Sequence, residues 1–172
     1  LYFIPFSSID YAFDFDVYGN VIISSGNSNP TVMFRCTGCD FTGATLNFYN
    51  NTVISTDGPA FYDDMNVDIV TTNHIFYNTY STSDKYAYQD DYGIGGLTHT
   101  YNLYFANQAG DWIDINGTGY NAGEISGWEG TAQNTDPAFT VEFSDLTLQV
   151  GSPAIDNGTA VTGYTEDIDG NT

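Results

Sequence analysis

Asn51-Thr52-Val53-Ile54, an asparagine leading into a short apolar run, decides how this chain is read. The pattern returns as Asn20-Val21-Ile22-Ile23, Asn73-His74-Ile75-Phe76 and Asn102-Leu103-Tyr104-Phe105, at spacings of 31, 22 and 29 residues (51−20, 73−51 and 102−73). A short strand and a turn in each copy, a near-constant period and no helical periodicity are the signature of stacked β rungs. The expected fold is therefore all-β: a right-handed parallel β-helix, or β-solenoid, of about four to five coils with an irregular C-terminal capping tail. Asn20, Asn51, Asn73 and Asn102 are expected at one corner of successive coils, each in the left-handed conformation. Their carboxamides would bond rung to rung as a structural ladder.

From Ile9 to Val17 the residues alternate, with Ile9, Tyr11, Phe13, Phe15 and Val17 on one face and Asp10, Ala12, Asp14 and Asp16 on the other. Such alternation marks a half-buried strand with an acidic outer face. In the second coil Leu46 and Phe48 point inward, with Asn47 and Tyr49 outward. In the third, Val67 and Ile69 fall one residue out of step relative to Asn73, and a turn longer by one residue restores the phase. Residues 78–96 are expected as a loop, the longest excursion among the repeats, and loops that leave a rigid scaffold are where binding concentrates. Residues 1–110 are assigned to the coils, and 111–172 to a C-terminal coil and capping tail of the same domain.

The 172 residues carry 22 acidic side chains against Lys85 and Arg35, a net charge of −20. Such a surface cannot neutralise phosphates, which excludes nucleic acid and anionic membranes as partners and favours cations or a salty medium. No run reaches the ~20 apolar residues of a membrane-spanning helix, so no membrane insertion is expected. With 41% hydrophobic residues, 14 Tyr and 12 Phe, the composition supports a packed core despite the charge. The chain opens in apolar residues without an initiating Met, which suggests an exported product already trimmed. Cys36 and Cys39 are expected as a disulfide closing a small loop. A thioredoxin-like pair lacks its βαβ context, and zinc would need His74 and His99 from other rungs.

Three elements of the tail stand in a fixed order. They are Asp136-Pro137-Ala138-Phe139, then Leu146 to Gly158 with its Gly151-Ser152-Pro153-Ala154-Ile155-Asp156 core, then Asp167-Ile168-Asp169-Gly170-Asn171. In this order they resemble the last coils of secreted right-handed parallel β-helix proteins, the pectate-lyase-like family with PbH1-type repeats. The Asn repeats resemble that family's coils over residues 9–107. In the family the last element is followed by a basic residue and a further strand, whereas this chain stops at Thr172. It is therefore expected to be a piece of a longer β-helix or a product trimmed at both ends.

The resemblance implies polysaccharide lyases and hydrolases. A lyase acting on uronic acids needs a cation against the carboxylate and a base at the α-proton. Lys85 and Arg35 lie in different segments, and the negative field repels a polyanion, which argues against a complete lyase site. An inverting hydrolase needs two carboxylates ~6.5–9.5 Å apart, for which Asp63-Asp64 and Asp90-Asp91 are candidates if stacking brings them together. Tyr86, Tyr88, Tyr92, Asp90 and Asp91 form a candidate platform for a neutral sugar. Calcium is the one cofactor considered, on Asp167, Asp169 and Asn171, with capping of the last coil as the simpler role. Asn50, Asn116 and Asn157 begin glycosylation sequons.

The expected function is an extracellular or cell-surface β-solenoid with a structural, adhesive or filament-forming role, self-associating head to tail through Leu1–Phe6. The alternative is a carbohydrate-active protein: a polysaccharide-binding module, or a fragment of a polysaccharide lyase or hydrolase.

Overall fold

The computed structural model describes residues 2–3, 14–25, 28–35, 41, 43–65, 67–80, 85–92 and 97–164. Cys36, Cys39, Asp167, Asp169 and Asn171 lie outside the described residues. After β1 (Tyr2–Phe3) the chain makes rungs of three strands. The first rung is β2 (Asp14–Tyr18), β3 (Val21–Ser24) and β4 (Val32–Arg35), and the second β5 (Thr45–Tyr49), β6 (Thr52–Ser55) and β7 (Phe61–Asp64). The third is β8 (Asp68–Thr72), β9 (Ile75–Asn78) and β10 (Tyr88–Asp90), and the fourth β11 (Leu97–Thr100), β12 (Leu103–Ala106) and β13 (Asp111–Ile115).

Each strand pairs in parallel with its counterpart one rung away, giving sheets β2-β5-β8-β11, β3-β6-β9-β12 and β1-β4-β7-β10-β13. The protein is an all-β solenoid, three full turns from β2 to β11. One expectation for the chain's middle changes: Tyr88–Asp90, inside the expected loop, is a strand. The last stacked strand is β13, which ends at Ile115.

Alternation in each strand fills the tube. Leu46, Phe48, Val53 and Phe61 of the second rung, and Ile69, Phe76 and Tyr88 of the third, are all buried. Their rings stack along the axis: Phe61 lies 4.9 Å from Tyr88 at 5°, and Phe76 lies 5.3 Å from Tyr104 at 15°. Each such side chain contributes about 2–3 kcal/mol on leaving water. In-register stacking repeats that gain in every rung.

The corner between the first two sheets is the same in each rung. Gly19, Asn50, Asn73 and Tyr101 sit there with φ of 64°, 55°, 59° and 57°. Glycine and asparagine tolerate this left-handed turn, and the tyrosine is held in it by its neighbours. The residue that follows carries the ladder. Strand register aligns Val21, Thr52, Ile75 and Leu103, so the ladder positions are Asn20, Asn51, His74 and Asn102.

Asn73 is therefore not a ladder residue. It takes the turn position one residue earlier, and donates outside the tube to Asn50 Oδ1 (2.8 Å). The extra turn residue expected in the third coil is also absent. Ile69 aligns with Leu46, and Thr71 takes the place of Phe48.

Within the ladder, Asn51 Oδ1 accepts from Asn20 N (3.0 Å) and Asn20 Nδ2 (2.9 Å), while Asn51 Nδ2 donates to Val17 O (2.8 Å). Asn51 is 1% exposed. Its replacement by alanine is expected to cost about 1–3 kcal/mol, since neighbouring donors and acceptors lose their partners inside the tube. An Asn51→Ala chain with an unchanged urea midpoint would remove the ladder's claim to a structural role.

Beyond the fourth rung, β13 turns back through Asn116 (φ 49°) and Gly117 (φ 79°) into antiparallel β14 (Thr118–Asn121). A four-residue helix, α1 (Ile125–Trp128), follows and sets Trp128 against His99 (4.2 Å), Tyr104 (5.5 Å) and Tyr88 (5.9 Å). Gln133 then pairs with Leu103. These residues cover the C-terminal end of the tube. The hairpin of β15 (Phe139–Val141) and β16 (Asp145–Leu148) folds onto the outside of the second sheet, where Phe139, Leu146 and Leu148 cover Ile54, Ile75, Tyr77 and Phe105. The tail then runs back toward the first rung: Thr159 bonds Asn73, and Tyr164 packs on Tyr18 (4.2 Å) and Tyr49 (5.4 Å).

Candidate functional site

The acidic pairs singled out in the sequence are split by strand alternation. Asp63 and Asp90 pair across adjacent rungs and point into the tube, 1% and 2% exposed. They cannot reach a substrate, which removes them as a hydrolase pair. Asp64 and Asp91 face outward. Asp64 pairs with Arg35 (3.4 Å), and Asp91 accepts from Tyr62 OH and Gln89 Nε2, both at 2.8 Å. Burial and then the Asp90 charge push the Asp63 carboxyl up to about 9.

The expected sugar platform is divided in the same way. Tyr88 is fully buried between Phe61 and Trp128, so only Tyr86, Tyr92 and Asp91 keep exposed surface. Of the sequon asparagines, Asn50 accepts from Asn73, and Asn157 donates to Pro153 O (2.6 Å) and Ile155 O (3.1 Å). Asn116 stands exposed at the tip of the β13–β14 turn. Lys85 lies over the Tyr80 ring at 6.0 Å.

Two interior features escaped the sequence reading. His74 fills an asparagine's place in the ladder, and burial lowers it to about 4. Burial, and then the nearby His74, lowers His99 to about 3, while its Nδ1 meets Thr71 Oγ1 at 2.7 Å. Neutral imidazoles thus line the core. Glu129 ends the ladder: its side-chain oxygens accept from Asn102 N (2.9 Å), Asn102 Nδ2 (3.1 Å), Tyr104 OH (2.8 Å) and Thr131 Oγ1 (3.2 Å). The spacing from Asn102 to Glu129 is 27 residues, one rung, and an amide replaced by a carboxyl was the signal available.

Aromatic and acidic groups also meet in a groove beside the C-terminal hairpin. Its volume is 430 Å³, and Tyr77, Thr79, Phe105, Asn107, Asp136 and Glu142 line it. Strand register puts Tyr77 and Phe105 side by side on the outer face of β9 and β12, with rings stacked at 5.2 Å and 17°. Trp112 extends the aromatic surface 5.2 Å from Phe105. Thr79 and Asn107 follow the ends of the same two strands.

The opposite wall comes from the tail. Asp136 Oδ1 accepts from Ala138 N (2.8 Å), closing the turn that leads into β15, and Ser152 Oγ donates to Pro137 O (2.5 Å). The Asp-Pro-Ala-Phe and Gly-Ser-Pro-Ala-Ile-Asp elements therefore fold as one unit. That unit presents Asp136 and Glu142 to the groove. Glu142 Oε1 accepts from Tyr77 OH. Burial, then the bond to Glu142, then the charges of Glu142 and Asp136 all push the Tyr77 phenol upward. The phenol thus stays a donor, and both carboxyl groups act on one hydroxyl.

Compared with known families, curated proteins and solved structures, the chain matches no family model, no curated protein and no solved structure. Among the described residues no helix is long and apolar enough to cross a membrane, and no cluster of three or more acidic, His or Cys side chains is arranged to hold a metal.

Proposed function

We propose that this chain is a carbohydrate-binding β-solenoid module of an exported, extracellular protein, built on the parallel β-helix plan its tail resembles. The carrying observation is the groove between β9, β12 and the C-terminal hairpin, where the half-buried Phe105 ring, backed by the buried Tyr77, adjoins two carboxylates, an amide and a hydroxyl. Sugar rings offer axial C–H faces to aromatic rings and hydroxyls to carboxylates, so this pairing of surfaces is what glycan recognition requires. The acidic field bears on the ligand, favouring neutral or cationic glycans over uronates.

The test is calorimetry against a panel of soluble oligosaccharides, with Trp112 fluorescence as a second readout because that ring adjoins Phe105. Phe105→Leu keeps the apolar packing and removes the ring. It is expected to weaken binding by about tenfold, near 1.4 kcal/mol. Binding that ignores Phe105→Leu, or no binding across the panel, would defeat the proposal.

Self-association is the second reading, supported by exposed apolar side chains on the first rung: Phe15 at 37%, Tyr18 at 54%, Val21 at 44% and Ile23 at 42%. A head-to-tail filament would set this rung on the covered C-terminal end, where Trp128 and Gln133 lie in place of an open strand edge. Sedimentation at micromolar concentration separates a filament from a monomeric module.

A further inference from the structure

We infer that the C-terminal closure of the tube is an acid-sensitive latch: protonation of His99 frees the segment carrying Trp128 from the last rung while the coils stay folded. His99 lies on β11, the end strand of its sheet, and its ring meets Trp128 at 4.2 Å and Tyr88 at 5.4 Å. Thr71 Oγ1, which accepts from Asn102 Nδ2 (3.0 Å), lies 2.7 Å from His99 Nδ1, and the buried Nε2 has no partner among the described residues. An imidazolium there would present two N–H donors and a charge to one hydroxyl oxygen. Water must reach the ring for the charge to be tolerated.

The segment over the ring can open on its own. Ile125 and Glu129 are buried in it, whereas Glu124, Ser126, Gly127, Gly130 and Thr131 are exposed. It is tied to the last rung by Glu129, by Thr131 Oγ1 accepting from Tyr101 N (2.8 Å), and by Gln133 beside Leu103. A segment with so little buried surface opens at lower cost than the rungs beneath it. Once it lifts, His99 meets water and returns toward its ordinary 6.5, against about 3 when closed. Between those values the open form binds one proton more, so the open fraction rises about tenfold for each unit of pH below 6.5. The other ionisable groups around the ring are His74, Tyr88, Tyr104 and Glu129, with Asp63 and Asp90 acting on Tyr88. His74 takes no part in this step, because it lies between Phe48 (5.7 Å) and Phe76 (4.9 Å) inside coils that stay closed. Burial raises both phenols, so they stay neutral in acid. Glu129 is a carboxyl group bonded to the same rung, and the experiment must separate it from His99.

The experiment is limited digestion of the whole chain by an acid protease from about pH 6 to about pH 4, with far-UV circular dichroism at each pH. Wild type is compared with His99→Gln, which keeps an oxygen for the Thr71 hydroxyl and takes no charge, and with His74→Asn, which puts the ladder's usual residue in place. His99→Phe, which keeps a ring against Trp128, is a second uncharged variant. Rates are taken relative to the uncharged variants, so that the protease's own pH dependence cancels.

The expected result is cleavage within residues 120–133 that gains about tenfold per pH unit over the uncharged variants, in wild type and in His74→Asn alike, while the strand signal holds. A ratio that stays flat would assign any acid opening to Glu129 or other carboxyl groups and overturn the inference. Loss of the pH dependence in His74→Asn, or cleavage spread through the rungs, would show unfolding of the whole solenoid and overturn it as well.

Discussion

Replacing Glu129 by alanine is expected to destabilise the solenoid by about 3–5 kcal/mol, more than any single asparagine of the ladder. Glu129 is 3% exposed and accepts four hydrogen bonds, two of them from Asn102 and one from Tyr104 inside the last full rung. Removing it leaves the buried Asn102 N without its acceptor, while Asn102 Nδ2 keeps only Thr71. It also loosens the segment that brings Trp128 over the end of the tube. Glu129→Gln is expected to cost less. Its oxygen still accepts, but its amide turns a donor toward Asn102 Nδ2 or Tyr104 OH. Urea unfolding of both variants checks the order Ala > Gln > wild type in cost. A Glu129→Ala midpoint within error of wild type would show that the end of the solenoid needs no polar closure.

Asp63→Asn is expected to stabilise the protein at alkaline pH by about 2–4 kcal/mol and to change it little near pH 4. The folded chain holds the Asp63 proton up to about 9, whereas the unfolded chain releases it near the ordinary 3.8. Between those values the folded state binds more protons, so stability is full below the lower value and is lost as pH rises through the higher.

His74 and His99 act in the opposite sense. Lowered to about 4 and about 3, they contribute fully above the ordinary 6.5. That contribution is lost as pH falls toward their folded values. Below 6.5 the two histidines outweigh one aspartate, and above it the aspartate acts alone. Wild-type stability is therefore expected to peak near pH 6.5. The Asp63→Asn curve should stay level from there to pH 9. A wild-type denaturant midpoint that holds constant from pH 6.5 to 9 would mean that burial beside Asp90 does not hold the proton on Asp63.

These two effects show where sequence pattern suffices and where it does not. The asparagine spacing of 31, 22 and 29 residues gave the rung length, because each rung must return to the same corner. It also gave a wrong third member. Asn73 and His74 are adjacent, and only the pairing of Ile75 with Thr52 tells which of them faces the ladder. The Asp63-Asp64 and Asp90-Asp91 pairs were visible, but alternation sends one of each inward, and the choice depends on strand phase. The β13–β14 hairpin carried its own sign, Asn116-Gly117 between strand-like residues, which is the usual demand of a two-residue hairpin turn.

The sequence by itself determined that this chain is a stack of parallel strands, since a rung's pattern of turn residue, ladder residue and apolar alternation is local and repeats. It also determined the strong negative field, which composition alone sets. Only the tertiary structure decided the site. Tyr77 and Glu142 are 65 residues apart, and the groove exists because the C-terminal hairpin lays Phe139, Leu146 and Leu148 on the outer face of the second sheet. Nothing in the period of the rungs requires that contact. It follows from burying the apolar outer residues Ile54, Ile75 and Phe105, whose neighbours in space belong to a different part of the chain.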